Sequence, residues 1–337
     1  MSNEKTLSIR WNTKCNGICE HCCMNPFINK DNCKIDLYEI RKYLDKNQDK
    51  FSMVYLKGSE PLLDEQSIYD ILYILKLYPN LRFKLTTNLQ YPLNKERMEV
   101  LYSIHELETS YDLGVNRFSD EYDNNNKTNI DQMKSIHHWR NNVFHIAQFR
   151  KLKINICLTK QFIYHFKSLD NFIEKLIFNK MSYLTSSDKK LIKDNISFDF
   201  SPISKINNNR NKLLLYIPTK NTVVQWFKDN INYLSKQNLY MLISKKFLAC
   251  PNDEYSVVID NKGNEQPCLA TNIILDPETE DSKEVLCKGK LSEECLICSD
   301  YQYCGGKGSC FDCYFDREVY ELAKSRYLEL ENNGENK

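Results

Sequence analysis

One stretch decides how this chain is interpreted: Cys15-Asn16-Gly17-Ile18-Cys19-Glu20-His21-Cys22. Its three cysteines follow the spacing C-x3-C-x2-C, and thiols this close together indicate one metal centre rather than three unrelated roles. A [4Fe–4S] cluster that is held entirely by protein takes four cysteine thiolates. Three thiolates leave one iron open to a group from outside the chain, and the rest of the sequence has to show what that group is.

A zinc site is the main alternative for the same spacing. Structural zinc takes four ligands, usually from paired C-x2-C units. Cys23, directly behind the motif, or Cys33 would supply the fourth ligand. The choice between iron–sulfur and zinc therefore depends on signals farther along the chain.

The composition excludes several classes of protein. With 46 Lys and Arg against 45 Asp and Glu, the net charge of +1 gives no overall attraction to nucleic acid or to an anionic membrane. We find no apolar run of about 18 residues and no signal peptide, so we expect neither a membrane span nor export. The 14 cysteines then favour metal binding over disulfides and predict a reducing cytoplasm as the location.

Short apolar strands alternate with amphipathic helices over residues 1–205. Six strand-then-helix units predict a parallel sheet with right-handed crossovers, an α/β fold of the partial (β/α)6 TIM-like barrel type. Polar residues cluster where the strands end, which is the edge at which barrel enzymes build their sites. The predicted strands are 7–11, 53–56, 82–87, 107–111, 153–158 and 196–200.

The composition changes beyond the sixth strand. Residues 206–249 have a helical pattern and form a predicted bridging region, and residues 250–337 form a small, cysteine-rich domain. This last part has few long apolar runs, so we expect bound metal to supply its stability. A hairpin at 260–263 and a closing helix at 316–330 are the regular elements predicted within it.

The cysteine motif, its place directly after the first strand and the strand-end signals downstream resemble the radical S-adenosylmethionine (SAM) superfamily. The resemblance implies that Cys15, Cys19 and Cys22 hold a [4Fe–4S] cluster whose fourth iron binds the amino and carboxylate groups of SAM. It also implies reductive cleavage of SAM to a 5′-deoxyadenosyl radical, which abstracts a hydrogen atom from the substrate. His21 stands where the family has an aromatic residue beside the adenine.

The segment after the second strand carries the same resemblance. Gly58-Ser59-Glu60-Pro61 is similar to the family's Gly-Gly-Glu-Pro, with Ser59 in place of the second glycine. Gly58 permits close approach of the backbone to a ligand. The resemblance implies that Glu60 accepts a hydrogen bond from the SAM ammonium group.

Two further strand ends fit the pattern. Thr87-Asn88 is similar to the family's Thr-Asn-Gly, although Leu89 replaces the glycine. Ser110-Tyr111-Asp112 is similar to its Ser-x-Asp, in which the serine meets the SAM carboxylate. Arg117 is a candidate for a bidentate pair with that carboxylate.

The C-terminal cysteines are similar to the SPASM extension of peptide- and protein-modifying radical SAM enzymes, which binds two auxiliary [4Fe–4S] clusters. The pattern departs from the family at Gly308, where a cysteine is usual. By analogy, one cluster is held by Cys295, Cys298, Cys304 and Cys313. The other is held by Cys250, Cys268 and Cys310, with Cys287 as a candidate fourth ligand. Without Cys287 the second cluster would keep an open iron able to bind substrate, and a pair of zinc knuckles is the alternative for the whole block.

Three thiols stand outside these sets. Cys157 lies in a predicted strand and is expected to be a small core residue. Cys23 and Cys33 lie close to the cluster motif, where a thiol can donate a hydrogen atom to a substrate radical. A Cys-Cys pair at the end of the motif resembles peptide epimerases of the superfamily, which makes Cys23 a candidate catalytic residue.

The resemblance implies an enzyme that modifies a ribosomally made precursor peptide by a crosslink, a thioether or epimerisation. It implies SAM and three [4Fe–4S] clusters as cofactors and flavodoxin or ferredoxin as electron donor. With 14 residues before Cys15, we expect no fused leader-recognition domain, and a separate peptide-recognition protein is a candidate partner. The alternatives are an anaerobic sulfatase-maturing, formylglycine-forming enzyme and, in another class, a non-catalytic iron–sulfur or zinc protein.

Overall fold

The structure is a computed structural model that describes residues 5–12, 14–16, 34–111, 129–178, 183–201, 217–243, 256–266, 295, 297–300 and 313–332. Internal packing divides the chain into two compact units. The first comprises residues 1–110, 206–208 and 251–289, and the second comprises 111–205, 209–250 and 290–337. The three domains expected at 1–205, 206–249 and 250–337 are defined by sequence pattern rather than by packing, and they stay a prediction.

Strands and helices alternate along most of the described chain. The strands are β1 (Lys5–Arg10), β2 (Phe51–Lys57), β3 (Arg82–Thr87), β4 (Glu106–Tyr111), β5 (Leu152–Cys157), β6 (Ile196–Ser201), β7 (Ser256–Ile259) and β8 (Glu265–Gln266). The helices are α1 (Leu37–Asn47), α2 (Glu65–Leu77), α3 (Lys95–Ser103), α4 (Asn129–Ala147), α5 (Lys160–His165), α6 (Leu169–Phe172), α7 (Ser186–Asn195), α8 (Lys220–Asn230), α9 (Lys236–Ile243) and α10 (Arg317–Asn332).

The strands pair in parallel within each unit. In the first unit the order is β4-β3-β2-β1-β7-β8, with parallel pairs from β4 to β7 and one antiparallel pair between β7 and β8. In the second unit β5 and β6 form a parallel pair. Consecutive parallel strands joined by helices are the β/α repeat that the sequence predicted. The α/β fold class is confirmed.

The expected elements lie close to their predicted positions. Each of the six predicted strands is present, and each begins and ends within two residues of its predicted bounds. The turn at 260–263 joins β7 to β8, and the closing helix is α10. Within the predicted helical region 206–249, the described part contains α8 and α9. No helix in the described part of the chain is long and apolar enough to cross a membrane.

Capping side chains set the starts of α1, α2 and α3, the helices described in the first unit. Asp36, Asp64 and Asn94 each accept a hydrogen bond from the backbone N–H three residues later, at 3.2, 3.0 and 2.9 Å. Such caps satisfy N–H groups that have no partner inside the helix. Each helix thus begins at a defined residue, which fixes the length of the loop that precedes it.

The core of the second unit is aromatic. Tyr111 lies 5.0 Å from Trp139 and 4.8 Å from Phe172, measured between ring centroids, and Phe162 lies 5.6 Å from Trp226. All five side chains are almost fully buried. Edge-to-face and tilted packing of this kind adds to the stabilisation that comes from burial.

Candidate active site at the carboxyl ends of the strands

The segment that leads from β1 to Cys15 is fastened to the loop after β2. Backbone N–H groups of Ser59 and Glu60 donate to the carbonyl oxygens of Asn12 and Lys14 at 3.2 and 2.8 Å. The Asn12 side chain returns a hydrogen bond to the carbonyl of Glu60 at 3.1 Å. These bonds extend the β1–β2 pairing past the strand ends and hold Cys15 at the carboxyl edge of the sheet.

Gly58 allows the two segments to lie this close. Its φ is +149°, a conformation that side chains rarely adopt. A Cβ atom at this position would stand 2.7 Å from the carbonyl oxygen of Asn12. The close backbone approach seen at Gly58 is to Asn12 of the same chain. The approach to a ligand expected at this glycine stays a prediction.

Glu60 is the centre of a buried hydrogen-bond cluster. Its Oε1 accepts from the backbone N–H of Leu62 at 3.1 Å, from the Thr87 hydroxyl at 2.8 Å and from the Tyr91 hydroxyl at 3.1 Å. Its Oε2 accepts from the backbone N–H of Asn88 at 2.5 Å. The side chain is fully buried. The carboxylate thus ties the loop after β2 to the end of β3.

The electrostatics of the cluster follow from its burial. Desolvation raises the pKa of Glu60, and the hydrogen bonds from Asn88, Thr87 and Leu62 oppose this rise. Burial and the neighbouring carboxylate raise the pKa of Tyr91 well above its ordinary value, so its phenol stays protonated and donates. Both oxygens of the Glu60 carboxylate accept hydrogen bonds from the chain itself, and the assignment of this carboxylate to the SAM ammonium group stays a prediction.

We expect Glu60→Gln to lower the free energy of unfolding by about 1–3 kcal/mol. Each carboxylate oxygen accepts a backbone N–H, from Leu62 or Asn88, and these groups cannot turn away. In either orientation of its amide, a glutamine would place its NH2 group, a donor, opposite one of these two backbone N–H donors. Urea denaturation measures the change. Glu99→Gln is the control. Glu99 is an exposed residue of α3 that pairs with Lys76 of α2, so its replacement should change the free energy of unfolding little.

The pH dependence of this effect has a definite sign. The pKa of Glu60 in the folded protein lies above its ordinary value of 4.5. Between these two pKa values the native state therefore binds more protons than the unfolded state. The contribution of Glu60 to the free energy of unfolding is largest below about pH 4.5 and decreases as the pH rises through the folded pKa. The stability difference between wild type and Glu60→Gln should therefore shrink with rising pH. A constant difference would contradict the assignment.

Asn88 connects the end of β3 to the cysteine segment. Its side-chain amide donates to Asn16 Oδ1 at 2.7 Å and lies 3.8 Å from Cys15 Sγ. Its Oδ1 accepts from the backbone N–H of Gln90 at 2.9 Å, and Asn16 donates to the Gln90 carbonyl at 3.1 Å. Two predicted site residues, Cys15 and Asn88, are thus neighbours at the sheet edge.

Leu89, at the position where the family has a glycine, has a backbone conformation that favours glycine. Its φ is +52°, in the left-handed region that costs an ordinary side chain about 1–2 kcal/mol. The side chain is fully buried, and burial of a leucine contributes roughly 1.5–3 kcal/mol. Burial therefore offsets the strain, and the departure from Thr-Asn-Gly leaves the turn after Asn88 intact.

The remaining predicted residues divide into described and undescribed ones. Ser110 lies half-buried near the end of β4. In the second unit, Cys295 is buried, Cys298 is exposed and Cys313 is half-buried, and Cys157 lies in the core of β5 as expected. The others lie outside the described residues: Cys19, His21, Cys22, Cys23, Cys33, Asp112, Arg117, Cys250, Cys268, Cys287, Cys304 and Cys310.

The described residues fit a thiolate-bound cofactor at this edge. Cys15 is a half-buried thiol that takes part in no disulfide within the described chain. Two buried polar atoms close by, Asn12 Oδ1 and Ser59 Oγ, have no hydrogen-bond partner within the described chain. Among the described residues alone no group of three metal-ligating side chains is found. A cluster would therefore need Cys19 and Cys22 beside Cys15.

Comparison with solved structures shows which fold this is. One similar structure is anSMEcpe, an anaerobic sulfatase-maturing enzyme solved with bound AdoMet (SAM). It matches with a TM-score of 0.57 and 15% identity, over 97% of this chain and 96% of its own. SuiB of Streptococcus suis, solved with its precursor peptide SuiA bound, matches over 90% of this chain and 71% of its own, with a TM-score of 0.50 at 14% identity. The chain has the fold of the radical SAM enzymes. No family model and no curated protein matches the sequence.

Within this radical SAM fold, the sequence missed the residues that support the site. Thr87 and Tyr91 enclose Glu60, and Asn16 and Gln90 hold Asn88. In the linear sequence Thr87 is only part of the Thr87-Asn88 motif, and nothing connects Tyr91 to Glu60. The contact of Tyr91 with Glu60 and the contact of Asn88 with Asn16 join residues about 30 and about 70 positions apart, so only the folded chain brings them together.

Proposed function

We propose that the protein is a radical SAM enzyme that modifies a ribosomally made peptide. The observation that carries the proposal is the radical SAM fold along nearly the whole chain, with Cys15 and Asn88 adjacent at the carboxyl edge of the strands. A (β/α) barrel places its chemistry at that edge. The peptide substrate is supported by SuiB, which was solved with a precursor peptide bound.

The residues that would hold the cofactors follow the motif positions. Cys15, Cys19 and Cys22 would bind a [4Fe–4S] cluster, and the segment from Gly58 to Glu60 with Asn88 would shape the place for SAM. When bound, cluster and SAM supply a 5′-deoxyadenosyl radical that abstracts a hydrogen atom from the substrate. Glu60 contributes indirectly, because its carboxylate positions the backbone of Leu62 and Asn88.

Further contacts with SAM are proposed for side chains at neighbouring positions. Ser110 at the end of β4, with Asp112 and Arg117 beyond it, is assigned to the SAM carboxylate side. His21 is assigned to the adenine. These assignments rest on the order of the motifs along the chain.

The C-terminal cysteines are proposed to bind two auxiliary [4Fe–4S] clusters of the SPASM type. Cys295 and Cys298 are close in the structure, with the Cys298 backbone N–H donating to the Cys295 carbonyl at 3.3 Å. The spacing Cys-x2-Cys is the one that metal-binding knuckles use, and it supports the proposal. Cys23 is proposed as the thiol that returns a hydrogen atom if the reaction is an epimerisation. Flavodoxin or ferredoxin, and a separate peptide-recognition protein, are the proposed partners.

Anaerobic co-expression with the small peptide encoded beside the gene tests the proposal. We expect mass spectrometry to show a loss of two hydrogens for a crosslink or thioether, or solvent deuterium at unchanged chemical composition for epimerisation. The purified, reduced protein should also release 5′-deoxyadenosine from SAM. A protein with a full iron complement that releases none would contradict the enzyme proposal and favour a non-catalytic iron–sulfur protein.

A sulfatase-maturing activity is the second candidate, and the match to anSMEcpe favours it. In that case a synthetic sulfatase peptide with its target serine or cysteine should acquire an aldehyde that reacts with a hydrazide probe. The peptide encoded beside the gene should then remain unchanged. The two assays, run on the same preparation, separate the two substrates.

A further inference from the structure

The strands of the first unit have one helix-covered face and one face with charged side chains. Phe83 on β3 lines a cleft together with Leu72 and Leu75 of α2, so its face is the covered one. Side chains alternate along a strand, which places Lys84 on the opposite face. Tyr55 of β2 pairs with Lys84 in the parallel register and shares that face.

Five side chains on the opposite face form a connected cluster. The Tyr55 hydroxyl donates to Glu108 Oε1 at 2.9 Å and lies 2.6 Å from the Thr86 hydroxyl. Lys84 Nζ contacts Glu108 Oε2 at 2.7 Å. The ammonium groups of Lys57 and Lys84 lie 3.8 and 4.4 Å from the centre of the Tyr55 ring. A phenol is therefore placed between two cations and a carboxylate.

This cluster is costly if its only role is structural. The Glu108 and Lys84 side chains are 7% and 17% exposed, and removing such charges from water costs several kcal/mol per ion before their attraction is counted. Barrel interiors are usually filled by branched apolar side chains, which pack at no such cost. A phenol that is hydrogen-bonded to a carboxylate inside a sheet face is an arrangement that can transfer a proton.

The cluster lies next to the candidate active site. Thr86 is the second-last residue of β3, and Asn88 follows that strand directly. Glu108 and Ser110 are two residues apart on β4, which corresponds to about 6–7 Å along one face of the sheet. The cluster thus lies close to the edge where Asn88 meets Cys15.

We infer that Tyr55 is a catalytic proton relay and that Glu108 is the proton acceptor behind it. This inference rests on the proposed function, in which crosslinking or oxidation removes two hydrogens from the peptide. One leaves as a hydrogen atom, and the other leaves as a proton, with its electron passing to an iron–sulfur cluster. The substrate X–H bond breaks as a new Tyr55 O–H forms, while the original Tyr55 O–H breaks and a Glu108 O–H forms. Lys84 holds the carboxylate in place.

The test compares SAM cleavage with peptide conversion. Glu108→Gln keeps the size of the side chain and loses the base, so 5′-deoxyadenosine should stay within about twofold of wild type while modified peptide falls at least tenfold. The peptide encoded beside the gene is the probe. Glu106→Gln is the matched control, because Glu106 lies on the same strand and pairs with Arg82 at the exposed surface. It should leave both products unchanged.

A second variant and a substrate-free measurement keep the inference testable. Tyr55→Phe removes only the hydroxyl and should show the same split. The difference in ultraviolet absorbance between wild type and Tyr55→Phe, followed against pH, reports the ionisation of Tyr55. The charged groups on the same face of the sheet are Glu108, Lys57, Lys84 and, on β1, Arg10. In the Glu108→Gln background the pKa of Tyr55 should fall, because the anion disappears while the cations remain.

The outcomes separate this inference from the function on which it rests. Wild type that releases no 5′-deoxyadenosine, or that cleaves SAM and leaves the peptide unchanged, would overturn the proposed function. Glu108→Gln with a normal ratio of modified peptide to 5′-deoxyadenosine would overturn only the relay. Loss of both products in equal measure, or an unshifted Tyr55 titration, would show that the cluster is structural.

Discussion

Cys15→Ala is expected to remove about four iron atoms per chain from the anaerobically reconstituted protein and to abolish 5′-deoxyadenosine formation. The proposed cluster would keep two of its three thiolates, which is too few to hold four irons against loss to solvent. Iron analysis and chromatography of the SAM reaction measure the two effects. In the wild type, three clusters correspond to about twelve irons per chain.

Cys157→Ala is the matched control for this experiment. Cys157 is a buried residue of β5 in the second unit, so its replacement removes a thiol without touching the cysteine motif. Iron content and SAM cleavage should stay at the wild-type level. Unchanged iron in Cys15→Ala would contradict the cluster assignment, and zinc in place of iron in the wild type would establish the zinc alternative.

Gly58→Ala is expected to destabilise the protein by about 2–4 kcal/mol. A side chain at φ +149° is strained, and the added Cβ would stand 2.7 Å from a backbone oxygen of Asn12, which cannot rotate away. The segment carrying Cys15 would have to move, so SAM cleavage should fall together with stability. Urea denaturation and the 5′-deoxyadenosine assay measure the two losses.

Ser59→Ala is the stability control beside it. The Ser59 hydroxyl has no hydrogen-bond partner within the described chain, so its removal should change the free energy of unfolding by less than about 0.5 kcal/mol. Equal stability of Gly58→Ala and Ser59→Ala would show that the loop after β2 does not lie against Asn12 as described.

The predicted strands came from patterns that depend on near neighbours in the chain. Buried parallel strands are continuous apolar runs and their helices have a period of 3.6 residues, so β1 to β6 could be located to within two residues. The cysteine spacing and the glycine of Gly58-Ser59-Glu60-Pro61 could be interpreted for the same reason. The hydrogen bonds that these residues make could not be predicted from the sequence, because their partners lie on or beside other strands.

Glu60 illustrates the limit. The assignment of its carboxylate to the SAM ammonium group stays a prediction, and the sequence does not reveal that Thr87, Asn88 and Tyr91 surround the side chain in the folded chain. Leu89 is a second example, because the sequence does not show that this residue is fully buried and has a left-handed backbone conformation. Burial depends on residues far away in sequence, and one chain without its fold does not specify them.

By itself, the sequence determined the order of strands and helices and the position of the cysteine motif after β1. Local hydrogen bonding and side-chain alternation are sufficient for those conclusions. Only the tertiary structure decided that Cys15 meets Asn88, that Glu60 is enclosed, and that Tyr55, Lys84 and Glu108 share one face. The parallel register sets these contacts, because it brings three strands side by side that are separated along the chain by whole helices.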